Sequence, residues 1–279
     1  VLLRSKVENP FVVEIASNDG TFLKDFVLKG CKVLGVDPAK NIAEIATNSG
    51  VPTLADFFNL ETAKRVKDKN GNADIVFARN VIPHVKEVHS IIEGISYLLK
   101  DDGLGAIEFH YSQIILDELH YDSIYHEHLF FYSLKSMIYL LNQYGLKPFD
   151  LTQSPISGGS LVIYFSKNQR VKSLELISAL ATEEIKQTNK LNTWQNFSND
   201  CIKHAKELKA IVEDHKTKGP VIGYGASARS STMLNFAGLN NDVIDCIIDK
   251  NPLKHGKYTP GTNIPIISFE EGKKLFDKC

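Results

Sequence analysis

The chain has 279 residues, 43% of them hydrophobic, and a formal charge of -1, so it can bury full cores and exceeds the usual single-domain size; two domains are expected. A nearly neutral protein offers no field to draw nucleic acid or a membrane surface, which leaves small molecules as the expected ligands. The four cysteines, Cys31, Cys201, Cys246 and Cys279, form no C-x-x-C pair, which argues against a zinc ribbon or a disulfide framework and fits a reducing cytoplasm.

No apolar run approaches the roughly 20 residues needed to cross a bilayer, and the amino terminus does not read as a signal peptide. The chain starts without Met a few residues before a buried-strand pattern, so an upstream part is expected. From Phe11 to about Tyr111, the runs "FVVEIA", "KVLGVD", "ADIVFARN" and "LGAIEF" read as strands. Helical stretches such as "PAKNIAEIATNSG" and "VKEVHSIIEGISYLLKDDG" separate them. This is the alternation of a doubly wound parallel α/β sheet, whose ligand belongs at the carboxyl ends of the strands.

Within this part, "VVEIASNDGTFLKDF" reads as a strand, a tight turn of small and polar residues, and a helix start. Such a turn lets a ligand approach backbone amides, with Glu14 or Asp19 available to a cationic or hydroxylated group. The turn is poor in glycine: Ala16 and Asn18 stand where glycines are usual, and Asn tolerates left-handed geometry. Asp37 closes the second strand about 20 residues later, the position from which a carboxylate grips ribose hydroxyls. After the third strand, Asp56 and Phe57 are placed to pair with and pack on an adenine. Read singly, Asp37 is as readily a helix cap, and Phe57 and Phe58 core residues.

Six of the nine histidines fall between His84 and His128. The densest stretch is "YHEHLFFYS", Tyr125 to Ser133. Ser133 then suits an N-cap for "LKSMIYLLNQY" and Gly145 its stop. A strand pair follows, "LKPFDLTQ" and "GGSLVIYFSK", and Ser173 to His215 reads as one long or two shorter exposed helices. The expected division is residues 1–150 and residues 151–279. In the second part "GYGASARSS" matches G-x-G-x-x-A through Gly223, Gly225 and Ala228, and Asp249 ends the next strand. Alone this pattern points to NAD. Its loop and helix start, Gly223, Tyr224, Gly225, Ala226, Ser227, Arg229 and Ser230, equally suit a phosphate or diphosphate.

With both loops, the histidine cluster and "NPLKHGKYTPGTNIPI" in view, the chain resembles the sugar C-methyltransferase family, which methylates C3 of nucleotide-linked 4-keto deoxyhexoses with S-adenosylmethionine. The likeness runs from about Phe11 to Ile266, most specifically through "EIASNDGTFL", "LGVDPAKNIA", "DSIYHEHLFFYSL", "GGSLVIYFS" and "IGYGASARSSTMLN". The resemblance implies a class I methyltransferase Rossmann-like domain followed by a smaller Rossmann-like domain that helps to hold the sugar nucleotide. It implies that Glu14, Ala16, Ser17, Asn18 and Gly20 of the first turn, with Asp37, Asp56 and Phe57, contact the cofactor. Tyr125, Glu127 and His128 match the family's catalytic stretch, with His128 as the base, and His84 in "NVIPHV" matches a further active-site histidine. Members usually carry glycine at the position of Ala16 and begin with a cysteine-rich zinc-binding domain, which is not among these 279 residues and is expected to be the missing upstream part.

The chemistry suits these residues. A C3 proton beside a C4 ketone leaves to give an enolate, whose carbon attacks a sulfonium methyl. A histidine with an ordinary pKa of about 6.5 is a neutral acceptor near neutrality, and Tyr125 or His84 would donate to the enolate oxygen. Glu127 would orient an imidazole or bind a sugar hydroxyl. His126 and His128 share a face in an extended segment, but no third metal ligand is evident, and no metal is expected. For Tyr125, Glu127 and His128 to act together the segment must bend. The expected function is a cytoplasmic C-methyltransferase acting on a deoxy-ketosugar nucleotide, a dTDP sugar, with neither nucleic acid nor membrane as partner. The alternatives are an NAD-linked oxidoreductase using the Gly223 loop and a non-catalytic sugar-nucleotide binding module.

Overall fold

Short runs of Val, Ile and Phe closed by turn residues become strands, since branched side chains suit a pleated surface covered on both faces. A computed structural model describes residue 4 and residues 7–276, and the chain forms two compact units. The first comprises the chain up to Ile114 together with Leu129–Asn189. Its strands are β1 (Phe11–Ile15), β2 (Lys32–Asp37), β3 (Thr53–Ala55), β4 (Ala73–Arg79), β5 (Leu99–His110), β6 (Lys147–Ser154) and β7 (Ser160–Ser166). The helices are α1 (Thr21–Leu28), α2 (Lys40–Asn48), α3 (Leu60–Asn70), α4 (Val88–Leu98), α5 (Ser112–Asp117, which runs out of this unit), α6 (Leu134–Asn142) and α7 (Leu174–Ile185).

The seven strands lie in the order β3-β2-β1-β4-β5-β7-β6. Every pairing from β3 to β5 is parallel, while β7 runs antiparallel to both β5 and β6. This is the class I methyltransferase arrangement, and its chain reversal between β1 and β4 opens the crevice where such sheets take ligands. Alternation along β1 sends Val13 and Ile15 into a core with Ile92, Ile95 and Phe109, and Val12 into a second core with Leu23, Phe26 and Phe77. Glu14 therefore shares the Val12 face.

The expected boundary at residue 150 falls inside β6. Strand β7 bonds to β5 through six residue pairs, Gly105↔Phe165 to His110↔Ser160, so β6 and β7 complete the first sheet rather than open a second domain. Of the two alternatives for Ser173–His215, one long helix or two, the chain forms two, α7 and α8 (Leu191–Lys216).

The second unit takes Ile115–His128 and the chain from Lys190 onward. It holds α8, β8 (Ile222–Tyr224), α9 (Ala228–Ala237), β9 (Cys246–Ile248), β10 (Ile266–Ile267) and α10 (Phe269–Phe276), with the parallel order β10-β9-β8. Ala205, Leu234, Leu239, Ile244, Ile247 and Ile264 form its core. Among the described residues no helix is long and apolar enough to cross a membrane.

Candidate active site

The β1–α1 turn is held down on β2. Ala16 and Ser17 both donate from their amides to the Val36 carbonyl, at 2.8 and 3.3 Å. Three residues turn left-handed, Ala16 (φ 54°), Asn18 (φ 53°) and Gly20 (φ 74°). Asn and Gly accept this readily, whereas for Ala it costs about 1–2 kcal/mol. Gly35 on β2 is what lets the turn lie so close. A Cβ there would collide with Ser17 Oγ and sit 2.8 Å from Thr53 Oγ1.

Asp37, at the end of β2 and 8% exposed, organises this turn. Its Oδ2 accepts from the Asn18 amide at 2.9 Å and its Oδ1 from the Ala39 amide at 2.9 Å. Beside it, Ile15, Ala16, Val36, Phe57, Val81 and His84 help to line a cleft of about 660 Å³. Phe57 is 70% exposed along its edge, while Phe58 behind it is core. Asp56 is already engaged, one oxygen ion-paired with Arg65 and the other accepting from the Phe57 amide at 2.8 Å. His84 sits in the single turn Ile82–His84 after β4 and is half-buried.

Three buried polar atoms at this end of the unit have no hydrogen-bond partner among the described residues: Glu14 Oε2, Ser17 Oγ and Asn80 Oδ1. Such atoms are costly unless a ligand or water satisfies them. With the Asp37 carboxylate and the aromatic edge of Phe57 they make a donor and acceptor set that fits a nucleoside with a polar tail. Glu14 is 3% exposed. Burial pushes its pKa up to about 8; Asp19 and Asp37 add to the rise, while the Arg79 guanidinium opposes it. Arg79 in turn binds Glu108 Oε2 through Nε at 3.0 Å and lies over the Phe22 ring at 4.1 Å. Ser154 Oγ donates to Glu108 Oε1 at 2.6 Å, and these groups edge a second cavity of about 270 Å³. Sequence reading missed Asn80 and Arg79. Their signal was position alone, at the carboxyl end of the strand across the switch point from β1.

The Tyr125–His128 stretch belongs to the second unit and does bend. The His128 amide donates to the Tyr125 carbonyl at 3.1 Å, bringing the two rings to 4.8 Å between centroids. Both are half-buried; His126 and Glu127 are exposed. Burial first, then Glu127, raises the Tyr125 phenol above its ordinary pKa, and Arg229 works against the rise. Among the described residues no three His, Cys, Asp or Glu side chains gather as metal ligands would.

The Gly223–Ser230 loop spends its polar groups internally. Gly225, with φ 89°, donates its amide to the Ile248 carbonyl at 2.7 Å. Ser227 and Ser230 cap α9 reciprocally, the Ser230 amide donating to Ser227 Oγ at 3.1 Å and the Ser227 amide to Ser230 Oγ at 2.8 Å. Asp249 repeats the task of Asp37, accepting from the Ala226 amide and the Asn251 amide, each at 2.8 Å. Here, however, Lys254 Nζ also lies 3.0 Å from Asp249 Oδ2 and donates to the Ala226 carbonyl at 2.7 Å. Tyr224 is exposed beside the loop. Arg229 grips Asp122, Nε to Oδ2 at 2.8 Å and a terminal nitrogen to Oδ1 at 2.9 Å.

Residues 2–151 match the model of a methyltransferase domain and residues 155–275 that of a C-methyltransferase C-terminal domain. The C-methyltransferase NovU of Streptomyces niveus is 32% identical over 270 residues, covering 95% of this chain and 64% of NovU, so the chain spans under two thirds of that relative's length. The ubiquinone biosynthesis O-methyltransferase of Bartonella bacilliformis is 30% identical over 97 residues, 33% of this chain and 38% of that protein. Among solved structures, a Haloferax volcanii methyltransferase in complex with its Trm112 activator aligns at a TM-score of 0.48 and 13% identity, covering 62% of this chain and 88% of that one.

Proposed function

Because this chain belongs to the C-methyltransferase family, joining a methyltransferase domain to a C-methyltransferase C-terminal domain, we propose that it methylates C3 of a nucleotide-linked 4-keto deoxysugar, a dTDP sugar, with S-adenosylmethionine. The observation that carries the reading is the cleft of about 660 Å³ beside Asp37, with unpartnered Glu14, Ser17 and Asn80 atoms at the neighbouring strand ends. In this reading Asp37 holds the ribose hydroxyls, Phe57 and Val81 flank the adenine, and the turn from Glu14 to Gly20 takes the amino-acid tail. When bound, S-adenosylmethionine supplies an electrophilic methyl.

The chain's own groups supply the rest. His128 Nε2 or Nδ1 takes the C3 proton, because an imidazole nitrogen is suited to general-base work. The resulting enolate oxygen needs a donor aimed at it, and Tyr125 is suited: a phenol raised by burial stays protonated. His84 is the second candidate donor, and Glu127 engages a sugar hydroxyl. The Gly223 loop, Tyr224 and the helix start at Ser227 lie against the sugar nucleotide. Lys254 beside Asp249 disfavours the oxidoreductase alternative, because the carboxylate a dinucleotide ribose needs is already ion-paired.

Calorimetric titration with S-adenosylhomocysteine and, separately, NADH tests the reading. Saturable binding of S-adenosylhomocysteine alone is the expected result. Binding of NADH alone would overturn it.

A further inference from the structure

The stretch from Tyr121 to His128 has only one turn of 3₁₀ helix, Tyr121–Ser123, and no strand ladder to aim it. A pair of anchors on adjacent residues holds its start. Asp122 receives both prongs of the Arg229 guanidinium, at 2.8 and 2.9 Å. Tyr121, 7% exposed, shares a hydrogen bond of 3.1 Å between its hydroxyl and His204 Nδ1, and its ring lies 5.1 Å from that of Phe236. One anchor therefore comes from α9 and the other from α8 and α9 together.

We propose that Arg229 is a positioning residue: clamped on Asp122, it sets the direction in which Tyr125 and His128 face. The planar fork meeting a planar carboxylate fixes orientation as well as distance, which a point charge does not. Asp122 lies three residues before Tyr125, and the Tyr125–His128 turn follows directly, so a rotation at Asp122 carries both rings with it. The pair is partly sheltered, with side-chain exposures of 31% and 26%, so solvent screens it less than an open surface pair. The guanidinium also stands close enough to Tyr125 to oppose the rise in its phenol's pKa. This assignment takes Arg229 away from the diphosphate of the substrate, the role its place in the Gly223 loop implies. Its link to catalysis rests on the function proposed above.

The test uses the 279-residue chain with Arg229→Gln, Asp122→Asn and the double variant. Peptide-resolved amide hydrogen exchange over residues 119–128 is the first measurement. Each single variant is expected to speed exchange there by about tenfold, the double no more than either single, since both remove one charge-assisted contact. Unchanged exchange in both singles overturns the clamp. Calorimetry with thymidine diphosphate is the second: a tenfold loss of affinity in Arg229→Gln but not in Asp122→Asn returns Arg229 to anion binding and overturns the proposal.

The third measurement is deuterium exchange at C3 of a dTDP-4-keto-deoxysugar. Here kcat should fall in both single variants with KM held within about twofold, and Arg229→Lys should restore only part of the loss. Loss in KM alone overturns the positioning role. Cofactor titration decides the proposed function separately, and amide exchange decides the clamp even where the unaltered chain catalyses no C3 exchange.

Discussion

Asp37 and Asp249 perform the same backbone task, each accepting from a loop amide and from the amide two residues further on. They differ in surroundings, since Asp249 is ion-paired with Lys254. Asp37→Ala is expected to weaken S-adenosylhomocysteine by at least about tenfold, because it removes both a ligand contact and the brace of the turn; unchanged affinity in calorimetry would take Asp37 out of the cofactor site. Glu14 makes a second expectation. Its folded-state pKa is raised to about 8, so the neutral form favours the fold. The stabilisation is complete below the ordinary carboxylate pKa and is lost as pH climbs towards 8. The unfolding free energy of the unaltered protein, read from urea denaturation, should therefore fall relative to that of Glu14→Gln between about pH 5 and about pH 9, by something on the order of 4 kcal/mol. Parallel midpoints would refute it. At Ala16, relief of the left-handed cost exceeds glycine's extra unfolded freedom, so Ala16→Gly should stabilise by about 0.5–1 kcal/mol in the same denaturation assay.

At the scale of elements, helix α6 shows how a distant group finishes what local sequence starts. Ser133 caps it as its residue type predicts, accepting from the Ser136 amide at 3.1 Å. Two more of its first amides, those of Leu134 and Lys135, donate to the Glu183 carboxylate of α7. Glu183 is buried, so Glu183→Ala should destabilise the first unit by about 2–3 kcal/mol, read as a lower denaturation midpoint, by leaving those donors unpaired. A loss below about 0.5 kcal/mol would mean water replaces the carboxylate. The reversed strand β7 is the other element of consequence. Its alternating apolar residues are ordinary, and its neighbours β5 and β6 were each readable as strands, yet no local feature says that β7 enters between them.

For the whole molecule, the units of the fold are not the segments of the sequence. The chain up to residue 150 stops inside β6, so a fragment 1–150 leaves β5 with an unpaired edge and is expected to aggregate or unfold. A fragment 1–189 keeps all seven strands and should show a cooperative thermal transition; equal behaviour of the two fragments would refute this. His128→Asn should abolish C3 deuterium exchange while leaving S-adenosylhomocysteine affinity unchanged, and retained exchange would shift the base to His84. The strands β1, β2, β4 and β5, the caps at Ser133 and Gly145, the strand-end acids and the Tyr125–His128 cluster were all legible from residue order. They depend on hydrophobic period, turn chemistry and side-chain type, which act over a few neighbours. The insertion of β7, the assignment of 115–128 to the second unit, the turning of Asp56 to Arg65 and the Arg229–Asp122 clamp were not. Each joins residues far apart in the chain, and such pairings are chosen by the packing of the completed fold, where burial and satisfied polar groups outweigh local preference.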